Sequence, residues 1–386
     1  MIPFLHLNFL VTLFAISALI SSSWAESIPY RQMLDKPVTF SGVKNGSDNS
    51  ALDDIPLGFF LPSTKDDPDD IIAKSILEAA NQLVEKANAE GGYHGIPFTV
   101  VHRTADSPWK GGASEILKLI YEDNAVIIFT SLSAESHLAA QIAAKAYIPL
   151  ISIASGDATI NQARLPWVFR LLPGNTLQAR VLLSHCSKAA HKKIGVISTT
   201  DQDSRLGAND LIDTLEKEGL PPLFHYQLTS ELDGMQGIGE KIKEMSPEAL
   251  FVSTTASGFL KLLTEFNTSK IEYPLYLTWI PGLNFKKIAP KYRGRIISAF
   301  PVPLFQEAYE NSREVPDNEN KLDLALFRLA YDGIQLAIKA ILKSGPQRTT
   351  LQQTLADGTV HMGLFGKYQF DNGGSNIEPP NIFEYK

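Results

Sequence analysis

Cysteine is almost missing from this chain: Cys186 stands alone among 386 residues, so no disulfide can form within it and packing must supply its stability. Cys186 follows Val181-Leu182-Leu183-Ser184-His185 on what reads as an apolar helix face, which predicts a core thiol and not a nucleophile. Positive charge is also short: 35 Lys and Arg face 42 Asp and Glu, a net charge of -7 that argues against nucleic acid as a partner. The phrases that mark common enzymes are absent. There is no Gly-x-Ser-x-Gly elbow, no Gly-x4-Gly-Lys-Ser/Thr loop, no Gly-x-Gly-x-x-Gly after a strand and no His-Glu-x-x-His. The eight histidines are scattered singly, so no zinc spacing appears, and the sequence predicts neither metal nor cofactor.

Long apolar runs are confined to one place. Residues Phe9 to Ile20 are apolar and lead into Ser21-Ser22-Ser23-Trp24-Ala25, with the first acid at Glu26. Small residues at Ser23 and Ala25 suit a signal peptidase, so residues 1–25 read as a cleavable secretory signal, although its usual Lys or Arg is missing. No cysteine follows the cut, so no N-terminal lipid anchor is expected. Residues 26–54, with Ser41-Gly42-Val43-Lys44-Asn45-Gly46-Ser47, read as a flexible extension.

What the chain has in abundance is alternation. From Ile55 onward short apolar runs alternate with amphipathic stretches, the pattern of βαβ units and a mostly parallel sheet. Strands are expected at 56–60, 98–101, 126–129 and 150–153, with helices at 72–87, 113–121 and 136–147 between them. After Pro173-Gly174 the cycle restarts, with strands at 194–198, 224–227, 249–252 and 275–277, and helices at 176–189, 206–218, 238–245 and 259–267. A long helix at 322–342 and a hairpin around Phe370-Asp371-Asn372-Gly373-Gly374 close the chain. The fold class is α/β: two doubly wound parallel-sheet lobes.

Open α/β sheets bind ligands beyond the carboxyl ends of their strands. The segment Phe129-Thr130-Ser131-Leu132-Ser133-Ala134 runs from such a strand end into a helix start, where hydroxyls and free N–H groups suit an anion. Ser131 or Ser133 could equally cap that helix. A second corner, Ala154-Ser155-Gly156-Asp157, follows the next strand and would share the cup. Asp201-Gln202-Asp203 after the strand ending at Ser198 is either pocket or solvated loop. Asp66-Asp67-Pro68-Asp69-Asp70 reads as helix capping and not as a metal site.

At these residues the chain resembles the Leu/Ile/Val-binding protein family, type I periplasmic binding proteins that serve ABC importers. The resemblance lies in Asn88-Ala89-Glu90-Gly91-Gly92, Gly95-Ile96-Pro97, Val126-Ile127-Ile128, Ile148-Pro149-Leu150-Ile151-Ser152 and Leu165-Pro166-Trp167-Val168-Phe169-Arg170, and spans about residues 55–386. It implies three crossings between lobes, near Pro173-Gly174, Phe300-Pro301 and 376–380, so that 55–174 with 301–377 form lobe I and 175–300 with 378–386 form lobe II. It implies a monomer in the periplasm that captures an amino-acid-like molecule, amide or small carboxylate without chemistry and delivers it to an inner-membrane ABC permease. A ligand sensor on the same two lobes is the rival expectation. It places a ligand carboxylate at Ser133, Ala154, Ser155 and Gly156, where a hydroxyl residue is usual in the last position. Aromatic lids fall at Ile72, Leu206 and Thr255, and the acid that receives an α-ammonium falls at Ile280, which cannot bind one. Asp203 or Asp157 could substitute for that acid, and Trp109 and Trp279 could supply aromatic walls.

Overall fold

Strand β1 (Ile55–Phe60) is buried at every position, as expected of a strand covered on both faces, and it sits inside its sheet between two parallel neighbours. The computed structural model describes residues 52–62, 69–229, 235–283, 288–300 and 322–385. The signal peptide and nearly all of the N-terminal extension lie outside the described residues, as do residues 66–68 of the acidic cluster and the Pro301 end of the second crossing.

The first sheet takes the order β2-β1-β3-β4-β5, all parallel, from β1, β2 (Phe98–Arg103), β3 (Ile127–Thr130), β4 (Leu150–Ser152) and β5 (Val168–Arg170). Helices α1 (Asp69–Ala89), α2 (Gly112–Tyr121) and α3 (Ser133–Ala146) make the crossovers. The second sheet repeats that winding with β6 (Ile194–Thr199), β7 (Phe224–Leu228), β8 (Ala249–Ser253), β9 (Leu275–Leu277) and β10 (Ile296–Phe300), in the order β7-β6-β8-β9-β10. Helices α4 (Asn175–Lys188), α5 (Gln202–Lys217), α6 (Ile238–Met245) and α7 (Ala256–Thr268) accompany it. Each lobe is thus doubly wound, and each has its topological switch beside its first strand, where such sheets bind ligands.

The end of the chain ties the lobes together. Helix α8 (Leu324–Ser344) packs along α1, and α9 (Arg348–Leu355) and a short ladder of β11 (His361–Met362) with β12 (Lys367–Tyr368) follow it. The last strand, β13 (Asn381–Tyr385), then joins the second sheet antiparallel to β10. Between them the chain runs beside β5: the Arg170 amide donates to Gly374 O at 2.8 Å, and Asn376 Nδ2 donates to Leu171 O at 2.8 Å. The turn at Asp371–Gly374 exists, but it does not head a terminal hairpin. Its flanks meet only at the Phe370–Asn376 bridge, because β13 finds a longer partner in the other sheet. Cys186 is fully buried on α4, and burial pushes its thiol up to about 11.

Candidate functional site

The helix that opens on the predicted anion corner is not capped by a serine. Leu132 occupies the N-cap of α3 and has no side chain with which to cap it, so the first N–H groups are left for another acceptor. The Ser133 hydroxyl donates to Asp157 Oδ2 at 2.6 Å and accepts from Gln202 Nε2 of lobe II at 3.5 Å. Asp157 also accepts from the Thr159 amide and hydroxyl, at 2.8 and 2.6 Å, and sits 2.8 Å from His137 Nε2. Burial alone would raise its carboxyl, but the bonds from His137, Ser133 and Thr159 outweigh burial and hold it well below the usual carboxylate range.

A depressed acid stabilises the fold above its unfolded pKa and loses that contribution as pH falls towards its folded one. Asp157→Asn should therefore melt below wild type at neutral pH, and the gap should close as pH drops below about 3.8. Melting curves from pH 3 to 8 on both proteins would show it. A gap that does not vary with pH would mean that the carboxylate is not the group that matters.

The second corner has no room for a side chain at Gly156. A Cβ there would lie 2.0 Å from Asn175 Oδ1, so Asn175 fills the space that a hydroxyl residue would need. Asn175 in turn fastens its own amide to Gly156 O at 2.8 Å.

Opposite these corners, lobe II presents the strand ends of β6, β8 and β9. Asp201 caps α5 through Ser204 N at 3.0 Å and accepts from the Thr199 hydroxyl at 2.6 Å, which uses both of its oxygens. Two residues on, Asp203 reaches across the cleft. Its carboxylate accepts from Ser133 N and Ser155 Oγ, each at 3.4 Å, and burial pushes its pKa up to about 6 with help from the charges of Asp157 and Asp201.

Between the corners and these strand ends lies a cavity of about 210 Å³. Lobe I contributes Ile72, Leu132, Ala154, Gly156 and Leu172, and lobe II contributes Asp203, Ser253, Thr254, Ser257, Thr278 and Trp279. Two buried polar atoms of lining residues, Thr254 Oγ1 and Trp279 Nε1, have no partner among the described residues, and a buried donor left alone costs about 1–3 kcal/mol. The arrangement can enclose and orient a small polar molecule.

A family model described as periplasmic binding protein matches residues 54–386. The chain belongs to the periplasmic binding protein family. No relative was found among curated protein sequences. Several solved periplasmic binding proteins share the fold. An ABC transporter substrate-binding protein from Desulfitobacterium hafniense, in complex with Leu, is 21% identical with a TM-score of 0.70, covering 86% of this chain and 98% of its own. The branched-chain amino acid binding protein LivJ from Streptococcus pneumoniae, in complex with isoleucine, is 17% identical with a TM-score of 0.72, covering 86% and 95%. A solute-binding protein from R. palustris, in complex with benzoate, is 16% identical with a TM-score of 0.71, covering 86% and 92%.

Within this periplasmic binding protein the expected site residues divide. Ala154, Gly156, Asp203 and Thr255 line the cavity, as do Ile72 and Trp279, while Ser133 and Ser155 meet it through Asp203. Ala134 lies one residue beyond the corner and does not line it. Leu206 is off the wall as well, because Asp203 and Ser204 occupy the first turn of α5 that faces the cleft. Ile280 is buried in the core and does not line the cavity, although Trp279 and Pro281 on either side of it do. Trp109 is 65% exposed and is no wall at all. Sequence reasoning missed Ser253, Thr254, Ser257 and Thr278. Their signal was available, since hydroxyl residues at or just beyond the carboxyl ends of β8 and β9 obey the same strand-end rule used for lobe I.

Proposed function

We propose that this periplasmic binding protein is exported by its N-terminal signal, works in the periplasm as a monomer, and closes its lobes over a small polar molecule for an ABC-type permease. The passages near Pro173-Gly174, Phe300-Pro301 and 376–380 serve as its hinge. The observation that carries this reading is the cavity of about 210 Å³ at the strand ends of both lobes, lined by Ser253, Thr254, Ser257 and Thr278. The neighbours' ligands, leucine, isoleucine and benzoate, are of a size for such a space. The protein transports without chemistry.

The chain from Glu26 should carry a small adduct in native mass spectrometry, or gain thermal stability from a member of a metabolite library. Ligand at a hundredfold excess over Kd adds about 2.7 kcal/mol, a shift of several degrees. A bare mass together with an unmoved melting curve across the library would sink the reading.

A further inference from the structure

The predicted anion corner is already filled. The α3 amide at Ser133 and the hydroxyl of Ser155 would hold a ligand's carboxylate from lobe I, yet both point at Asp203, a carboxylate that arrives from lobe II as part of the chain. Asp157 cannot play this part, because its four bonds all lie within lobe I. A second carboxylate brought by a solute would meet Asp203 at the corner and Asp201 nearby. Among the described residues no Lys, Arg or His lines the cavity to offset them. Two cations of lobe I near the corners are occupied elsewhere: Arg170 by Asn161 Oδ1 and Leu172 O, and His137 by Asp157. Among the described residues the wall therefore carries negative charge without a counter-charge, beside hydroxyls and Trp279, a surface suited to an ammonium ion. Burial is the main cause of the elevated pKa of Asp203, and the charges of Asp157 and Asp201 add to it.

We propose that Asp203 is a built-in stand-in for the ligand carboxylate: it closes lobe I's anion corner to carboxylate-bearing solutes and makes the cargo a carboxylate-free amine, bound as its ammonium ion. This rests on the cleft being the cargo site. Asp203 is then the residue that sets specificity, and it does so by occupying a position as much as by attracting a charge.

A matched set of probes separates the terms. L-Leucine, 3-methylbutylamine (leucine without its carboxylate) and 4-methylpentanoate (leucine without its ammonium) share one side chain. With the full mature chain, calorimetry and thermal shift should find binding of the amine and none of the acid or leucine. Asp203→Ala should weaken the amine by about tenfold or more and should gain stabilisation from 4-methylpentanoate and from plain acetate, which wild type does not show. Asp203→Asn keeps the corner filled without the charge, so it should lose the amine and gain no acid. If Asp203→Ala fails to fold, this variant and wild type still carry the comparison.

Wild type that binds the acid or leucine as well as the amine would overturn the proposal. So would wild type that ignores the amine, or an alanine variant that responds to acetate no more than wild type. Acetate rescue reads the corner whether or not any cargo is found, so a failed metabolite screen and a failed rescue point to different errors.

Discussion

Asp332→Ala is expected to lower stability by at least about 4 kcal/mol, a fall in melting temperature on the order of 10 °C, by removing one acceptor from four donors at once. Asp332 lies in the middle of α8, fully buried, and its carboxylate takes hydrogen bonds from the amides of Leu364, Phe365 and Gly366 and from Tyr368 Oη, at 2.6 to 3.1 Å. A Cβ on Gly363 would lie 2.3 Å from the carboxyl carbon, so the loop is folded directly onto the acid. Each donor left alone in a buried site costs about 1–3 kcal/mol, which sets the size of the effect. Asp332→Asn, with one acceptor oxygen left, should fall between. A melting temperature for the alanine variant within 2 °C of wild type would show that the loop finds other partners.

Trp279→Ala should cost about 3–5 kcal/mol of stability and abolish cargo binding, because the indole is both core and wall. It is nearly buried, meets Phe300 edge-on with ring centroids 4.9 Å apart, and has its backbone N–H fixed to Gln178 Oε1 at 3.0 Å. Trp279→Phe separates the two roles. It retains most of the packing but not the Nε1 donor that lacks a partner, so stability should change by less than about 1.5 kcal/mol while affinity falls about tenfold. Equal affinity in Trp279→Phe and wild type would mean that the indole N–H meets no cargo.

These two residues also mark where the sequence could be read and where it could not. Asp332 interrupts Leu329-Ala330-Tyr331 and Gly333-Ile334, an apolar stretch in which one acid has to find donors, but the sequence does not reveal that they come from a loop some thirty residues onward. Trp279 was legible as a wall only in outline, since the strand Leu275–Leu277 is plain while the phase of the segment after it is not. The periodic helices and the parallel strands were legible because burial on both faces leaves continuous apolar runs. β5, β10 and β13 were missed: the first is three residues long, and β13 has exposed or half-buried residues along most of its length and owes its place to a partner strand. In the site, the resemblance pointed to Leu206 and Ile280, whereas Asp203, one helical turn before the first, and Trp279, one residue before the second, line the cavity.

The lone thiol has a practical consequence. Cys186 is buried and its thiolate is disfavoured, so maleimide reagents at neutral pH should pass it by. The unmodified background is therefore silent to labelling, and a pair of new cysteines, at exposed Tyr121 on lobe I and exposed Leu260 on lobe II, would carry two dyes to chosen places. The distance between those dyes, followed one molecule at a time, would turn opening and closing into a signal that needs no knowledge of the cargo.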